Sequence, residues 1–384
     1  MGACVRWHRQ LRKLLFSREG CGTVLMAAFT AVALGVVPSI LEQWTTRLWV
    51  FGVVFAGALA LVLVGWVLQR PRGLGVVVSL YPASRTQGSR VVALKNASRG
   101  AHNVTLVVDR AALWPGEGST QGDSDVVDFV ARLIDAQVEE LRSGNRTEPE
   151  VVLYVLAHLR DGFRLGRRLA DDPQLSLNVM HLSQQAGRSL VPGVGLSSSL
   201  RTPLDAHQRN QVSRHLDAAG TGRPRLVELP AEAGQRRHHI AVIVRLASAG
   251  SMVDDALHIA ATGQTTYGSG HHTGYQLPGT DTSGVNGPCG AYVVIDIGTP
   301  YLPDDSALHA AVTTYVWECW LAARQEWAQR LGGNAAVEGL LFFHGPLPIA
   351  VALGWLTARD RITLVHHDLQ LAQGAAPPPP ADSP

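Results

Sequence analysis

The sequence predicts an α/β protein in three parts: a two-helix transmembrane hairpin, then two tandem halves, each a parallel sheet covered by helices. Three observations predict it. Two stretches of 22 residues near the N-terminus carry no charge, and each reaches the roughly 20 residues needed to cross a bilayer. Beyond Arg72, short apolar β-branched runs alternate with helical stretches, the pattern of a parallel sheet buried on both faces. The second half then repeats the first at an offset of 188 residues. A chain of 384 residues has room for two modest domains, or one domain built from two similar halves. At that size the core needs no disulfide staples.

Residues 1–19 form a basic segment holding Arg6, Arg9, Arg12, Lys13 and Arg18. The first span is 20–41 and the second 48–69, joined by a linker too short for anything but a tight hairpin. A basic start also suits a signal peptide, but no clear small-residue cleavage site follows and a second span comes at once. Basic residues flank both outer ends, Arg70 and Arg72 after the second span, while the linker holds only Arg47. The positive-inside rule therefore puts both termini in the cytoplasm, and the localisation expected is a membrane crossed twice. Trp44, Trp49 and Trp66 fall near the expected interfaces. Ala27, Ala31 and Gly35 in one span, and Gly52, Ala56 and Ala60 in the other, recur every four residues. Such faces let helices approach closely, within one hairpin or between hairpins of different subunits. With no charge inside either span, a fixed ion relay is not expected.

The formal net charge of +2 hides an asymmetry, because the first 72 residues are basic and residues 73–384 sum to −4. An acidic soluble part argues against polymeric DNA or RNA as partner, since that needs many phosphate neutralisations. The four cysteines (Cys4, Cys21, Cys289 and Cys319) form no C-x-x-C pair, so neither a zinc knuckle nor a thioredoxin-like site is expected.

Strands are predicted at 76–80, 91–94, 104–108, 151–156 and 175–180, then at 240–246, 292–297, 340–343 and 362–365. A long helix over 124–143 has Val126, Val130, Ile134 and Val138 on one stripe; another over 305–331 has Leu308, Val312, Tyr315, Val316 and Cys319. Each stripe is the core face of a helix laid on a sheet. Asp123 and Asp304 or Asp305 are candidate N-caps, and Gly144 and Gly332 candidate stops. At the offset of 188, Pro115 falls on Pro303, Leu133 on Leu321, Gly144 on Gly332, and Leu165-Gly166 on Leu353-Gly354. A register held across some 65 residues predicts an internal duplication, although two unrelated halves with similar loops would also align this way. A duplicated unit has a pseudo-two-fold, and ligands of parallel sheets sit outside the carboxyl ends of the strands. Two such ends around one pocket suit a ligand that itself has repeated units.

Candidate binding residues lie on those ends. The stretch 340–350 reads as a buried strand, a His344-Gly345-Pro346 turn and a helix start holding Pro348, whose free N–H groups suit a phosphate. The small residues Ser248, Gly250 and Ser251 follow strand 240–246 and permit close backbone approach. Thr299 ends the next strand. In the first half the matching turn is His158-Leu159-Arg160, and Arg160 or Arg164 could reach a phosphate. Residues 264–288 form a Gly/Thr/Ser-rich loop with Tyr267, His271, His272 and Tyr275, either a lid that stacks a base or a disordered segment. The pairs His238-His239, His271-His272 and His366-His367 are poor chelates, since adjacent strand residues point to opposite faces. No metal, catalytic set or cofactor is expected: the chain has no G-x-S-x-G, Walker or dinucleotide-binding motif. The tail 373–384, with four consecutive prolines, reads as disordered.

The residues 343–348, Ala350-Val351-Ala352-Leu353-Gly354 and 362–367 resemble the end of a SAVED domain. The His344-Gly345 pair departs from the small pair more usual there. SAVED domains resemble two fused CARF-like Rossmann units, in agreement with the repeat. Spans placed before one resemble the transmembrane SAVED effectors of bacterial CBASS anti-phage systems. The resemblance implies CARF-like halves at 73–230 and 231–372 and a cyclic oligonucleotide ligand, a trinucleotide foremost, made by a cognate nucleotidyltransferase. It further implies a homo-oligomer formed on binding, disruption of the lipid bilayer, and no enzymatic activity. Two alternatives stay open: a CARF-like enzyme cleaving its own ligand with His158, Thr299 or His344, and a membrane-anchored receptor or scaffold for another nucleotide.

Overall fold

The computed structural model describes Gly57 and residues 73–81, 88–114, 123–144, 150–171, 176–183, 189–216, 224–230, 237–277, 288–333, 335–368 and 372. Both candidate spans (Gly57 excepted) and the tail 373–384 lie outside the described residues. Among the described residues no helix is long and apolar enough to cross a membrane. The chain divides into two compact units, residues 1–72 with 100–103, and residues 73–99 with 104–384.

The first half of the second unit runs β1 (Leu74–Ser79), α1 (Gly88–Ala101), β2 (Val104–Asp109), α2 (Arg110–Leu113), α3 (Asp123–Gly144), β3 (Val151–Leu156), α4 (Leu159–Leu169), β4 (Leu177–Leu182) and β5 (Leu190–Leu196). A connector follows, with α5 (Ala206–Ser213) and β6 (Val227–Glu228). The second half runs β7 (His239–Arg245), α6 (Met252–Thr262), β8 (Tyr275–Gln276), β9 (Ala291–Asp296), α7 (Ser306–Arg330), β10 (Glu338–His344), α8 (Leu347–Leu356), β11 (Ile362–Leu364) and β12 (His366–His367).

The sheets are ordered β2-β1-β3-β4-β5 and β11-β10-β7-β9-β6. Read from each half's own first strand, four parallel strands take the same order in both: second, first, third, fourth. The ladders agree only in part. Leu74 sits between Val104 and Val151, and Ile240 between Ala291 and Gly339. Val104 and Val151 plus 188 give Tyr292 and Gly339, yet Tyr292 pairs with Ala241 and Gly339 with Ile240, so the repeat read from the sequence is a repeat of topology, with β9 shifted by one residue. Each half adds one antiparallel edge strand, β5 or β6. Pro192, which cannot donate to a ladder, lies on the outer strand β5 beside a register shift, where it costs no hydrogen bond.

The long α7 starts as expected, with Asp305 Oδ1 accepting from the backbone N–H groups of Ala307 at 2.8 Å and Leu308 at 3.2 Å. It buries far more than one stripe, including His309, Thr313, Glu318 and Trp320. The connector covers its other side. Thr314 Oγ1 donates to Leu200 O (2.9 Å), and Glu318 accepts from Leu204 N–H (3.0 Å) and Arg209 (2.9 Å).

Two strand expectations need correction. Residues 91–94 lie on α1, not on a strand. Their β-branched run imitates a strand, but Val91, Leu94 and Ser98 are the buried residues, a helical spacing, while Val92 points to solvent. The strand expected at 175–180 begins at Leu177.

The halves meet where α4 lies on α8. A Cβ added to Gly166 would drive into the carbonyl oxygen of Val351 and crowd Trp355 N; one added to Gly354 would drive into the carbonyl oxygen of Phe163 and crowd Arg167 N. These contacts are one contact written twice, since Phe163, Gly166 and Arg167 plus 188 give Val351, Gly354 and Trp355. Gly162 faces Leu347 and Val351, one turn nearer both N-termini. The two helices therefore run parallel about a local two-fold, and both sets of strand carboxyl ends lie at the same end of the unit. At the far end Arg167 clasps the halves, donating to the carbonyls of Ile362 (2.6 Å), Ala358 (3.0 Å) and Asp360 (3.2 Å).

A second tie between halves is Asp304, which accepts from Ser183 Oγ and pairs with His181 Nε2 at 3.1 Å. The fully buried His309 has its ring 5.5 Å from that of His181. Burial, reinforced by His181, pushes the His309 pKa down to about 4.

Two outcomes are expected. Gly166→Ala and Gly354→Ala must each pry the helix pair apart, at about 3 kcal/mol of stability apiece by overpacking; urea unfolding should show similar losses for the two. For His309 the folded pKa lies below the unfolded value near 6.5, so the folded state prefers the neutral ring. Its contribution is intact above pH 6.5 and is lost as pH falls toward 4, by roughly 3 kcal/mol. His309→Gln should flatten the urea-midpoint slope across that window.

Candidate functional site

Each strand-end turn is built the same way in both halves. Leu80 N–H donates to Leu156 O at 2.8 Å, and Leu246 N–H donates to His344 O at 2.7 Å. Leu156 and His344 are equivalent at the offset of 188, as are His158 and Pro346. These last two are the N-caps of α4 and α8, and neither makes a side-chain cap hydrogen bond. Two parallel helices thus open side by side, each a positive dipole end, but Pro346 and Pro348 carry no N–H and Ile349 N–H donates to Pro346 O at 3.1 Å, so α8, against expectation, offers fewer free N–H groups than α4. Only α4 carries an acid in its first turn, Asp161, which is buried. The start of α8 has none.

His366 and His367 join the halves. The His366 ring lies 6.0 Å from that of His158, which in turn meets Tyr81 at 4.7 Å. His367 turns the other way and meets Tyr275 at 4.6 Å. Tyr275 packs edge-on against Phe342 at 5.2 Å. The pair is split between two faces by the strand geometry of β12, which pairs antiparallel with β8.

His344 ends β10 half-buried. Burial foremost, then the nearby His367 and Arg245, hold its pKa below the ordinary value of 6.5, so at neutral pH it is an uncharged donor and acceptor. Arg245 is gripped by Asp296 through two hydrogen bonds of 2.7 and 2.5 Å, which fixes its charge beside the strand ends.

The expected site residues fall into groups. Ser248 N–H donates to Pro300 O at 2.9 Å, and Thr299 Oγ1 donates to Tyr301 O at 3.1 Å, so these two loops form one rim. Gly345 packs on Leu246 so closely that a Cβ would meet it; that closeness explains glycine there. Gly250 stands in open space, while Ser251 Oγ donates to Asp255 at 2.6 Å. Pro348 is buried against Gly193 of the first half and is a packing residue. Arg160 sits half-exposed in the first turn of α4. Arg164 lies elsewhere: with Arg167, Arg168, Asp128 and Asp171 it lines a cavity of about 360 Å³.

Within the expected loop 264–288, residues 264–277 are an ordered hairpin packed on the site, and 278–287 lie outside the described residues. Sequence reasoning missed Tyr81, Arg245, Asp296 and His366 as neighbours of the site. The available signal was their position at the last residues of strands, or just past them.

No protein-family model matches the chain, and no curated protein matches it. Among solved structures, it is similar to two of the Acinetobacter baumannii Cap4 SAVED/CARF-domain containing receptor, one with the cyclic trinucleotide 2′3′3′-cAAA and one with 3′3′3′-cAAA. In both the identity is 10%, the TM-score 0.39, and the match covers 82% of this chain and 52% of the other. The chain spans about half the length of those receptors. Among the described residues no group of three or more His, Cys, Asp or Glu side chains is placed to hold a metal ion.

A titration tests this arrangement. Removing the positive charge in Arg245→Gln should raise the His344 pKa toward 6.5 while burial still holds it below, as followed by NMR of the imidazole carbons. An unmoved titration would mean the Arg245 charge is not felt at His344.

Proposed function

We propose that the protein is a receptor for a cyclic oligonucleotide, built as a SAVED-like pair of CARF-like halves, that acts without enzymatic activity. The observation that carries this reading is the parallel, two-fold packing of α4 on α8, which brings two equivalent helix starts and strand-end sets to one end of the unit. A ligand with repeating phosphates presents its charges to both. Neutral His344, fixed Arg245, His158 and the Ser248–Thr299 rim supply hydrogen bonds and charge around it. In this reading the spans 20–41 and 48–69 anchor the receptor in the bacterial inner membrane. Binding favours an assembled form, clusters the hairpins and opens the bilayer; the ligand can do this only by binding that form more tightly than the free one.

The test uses the full chain in liposomes loaded with a self-quenched dye, exposed to a panel of cyclic di-, tri- and tetranucleotides. Leakage is expected with one ring size and not with the linear products. His158→Ala and His344→Ala should each weaken binding roughly ten-fold, the size of one hydrogen bond to a charged group. The ligand should be recovered intact after long incubation; a linearised product would instead make the protein a nuclease of its own ligand. Silence across the whole panel would defeat the reading.

A further inference from the structure

Residues 265–273 fold as a tight hairpin. Thr273 N–H donates to Thr265 O (2.9 Å), Thr266 bridges His272, and Tyr267 N–H donates to His271 O (2.8 Å). The turn is 268–270, with Gly270 at φ +83° in open space, a conformation that favours glycine. Across this hairpin and α6 three rings lie nearly parallel. Tyr267 stacks on His258 at 4.1 Å and 26°, and on His271 at 5.9 Å and 25°. His258 is itself oriented by a 3.1 Å hydrogen bond from Nε2 to Thr266 O, and His271 is exposed.

The stack is tied to the strand-end rim by one buried carboxylate. Asp255, in the first turn of α6, accepts from Tyr267 OH at 2.9 Å on one oxygen and from Ser251 Oγ at 2.6 Å on the other. A buried carboxylate with two hydroxyl donors is expensive to place and hard to move. The same hairpin is stitched to the His366-His367 segment, where Asp368 N–H donates to Gly274 O at 2.6 Å. An aromatic platform with an exposed outer ring is therefore held rigidly beside the loop that carries Ser251.

We propose that His258, Tyr267 and His271 form a stacking platform for one purine base of the ligand, and that Asp255 is the positioning residue that fixes it. The assignment rests on the receptor reading and adds a base preference to it. Stacking is sequence-tolerant but stronger for larger bases, so the platform favours purine over pyrimidine rings.

The test is calorimetric titration of the full chain in detergent with two probes, 3′3′3′-cAAA and 3′3′3′-cUUU. The unaltered protein should prefer the adenine ring. The exposed His271→Ala and Tyr267→Leu should each lose on the order of ten-fold in affinity for the adenine ring and little for the uracil ring, shrinking the preference. Tyr267→Phe keeps the ring but drops the Asp255 bond; it should shrink the preference less, with faster amide exchange across 265–273. A purely structural role would weaken both probes alike. Binding with an unchanged adenine-to-uracil ratio in all three variants overturns the platform and leaves the receptor reading standing. Failure of the unaltered protein to bind either probe or any ring in the panel removes both.

Discussion

The close approach of α4 and α8 is the constraint from which the rest of the molecule derives. Glycine at 166 and 354 lets each backbone press against the other's carbonyl groups, and no larger residue fits there. Because the contacts advance along both helices in the same direction, the packing is parallel. Parallel packing is electrostatically unfavourable, since like dipole ends lie together. The cost is offset by a single continuous apolar core that draws on both sheets, by the Arg167 clasp and by the Asp304 tie. The arrangement concentrates positive potential where the two helices start, and that potential is what an anionic ligand would relieve.

Equivalence of the halves is geometric, not chemical. The strand-end hydrogen bonds of Leu80 and Leu246 match, yet the first half places Leu156 and His158 where the second places His344 and Pro346. One half carries a buried acid at its helix start, and the other carries Arg245, His344 and His367 at its strand ends. A duplicated scaffold thus presents two non-identical faces, joined by His366 and His367 turning to opposite sides.

Much of this was legible in the sequence. The offset of 188 sets Leu165-Gly166 on Leu353-Gly354, and Gly166 and Gly354 are the two-fold contact itself. A duplicated helix needs the same small residue at its own symmetry axis, so the repeat marks it. The Asp305 cap was equally readable, because capping is local. Residues 91–94 misled because Val91 and Val92 are β-branched neighbours, and only packing against the sheet decides for the helix. The partners of the site were harder still. Tyr81 meets His158, which meets His366, and Asp296 meets Arg245 across β9 and β7, partnerships that no local pattern encodes. The stacked hairpin was visible only as a loop rich in Gly and Thr, with its rings scattered along it.

Hydrogen exchange read by mass spectrometry, on the full chain with and without a bound cyclic oligonucleotide, tests the shared site most directly. One ligand per chain is expected to protect the amides at both helix starts, around 159–162 and 347–350, in the same titration step. Protection confined to one half, or two ligands bound in separate steps, would contradict a single pocket on the two-fold.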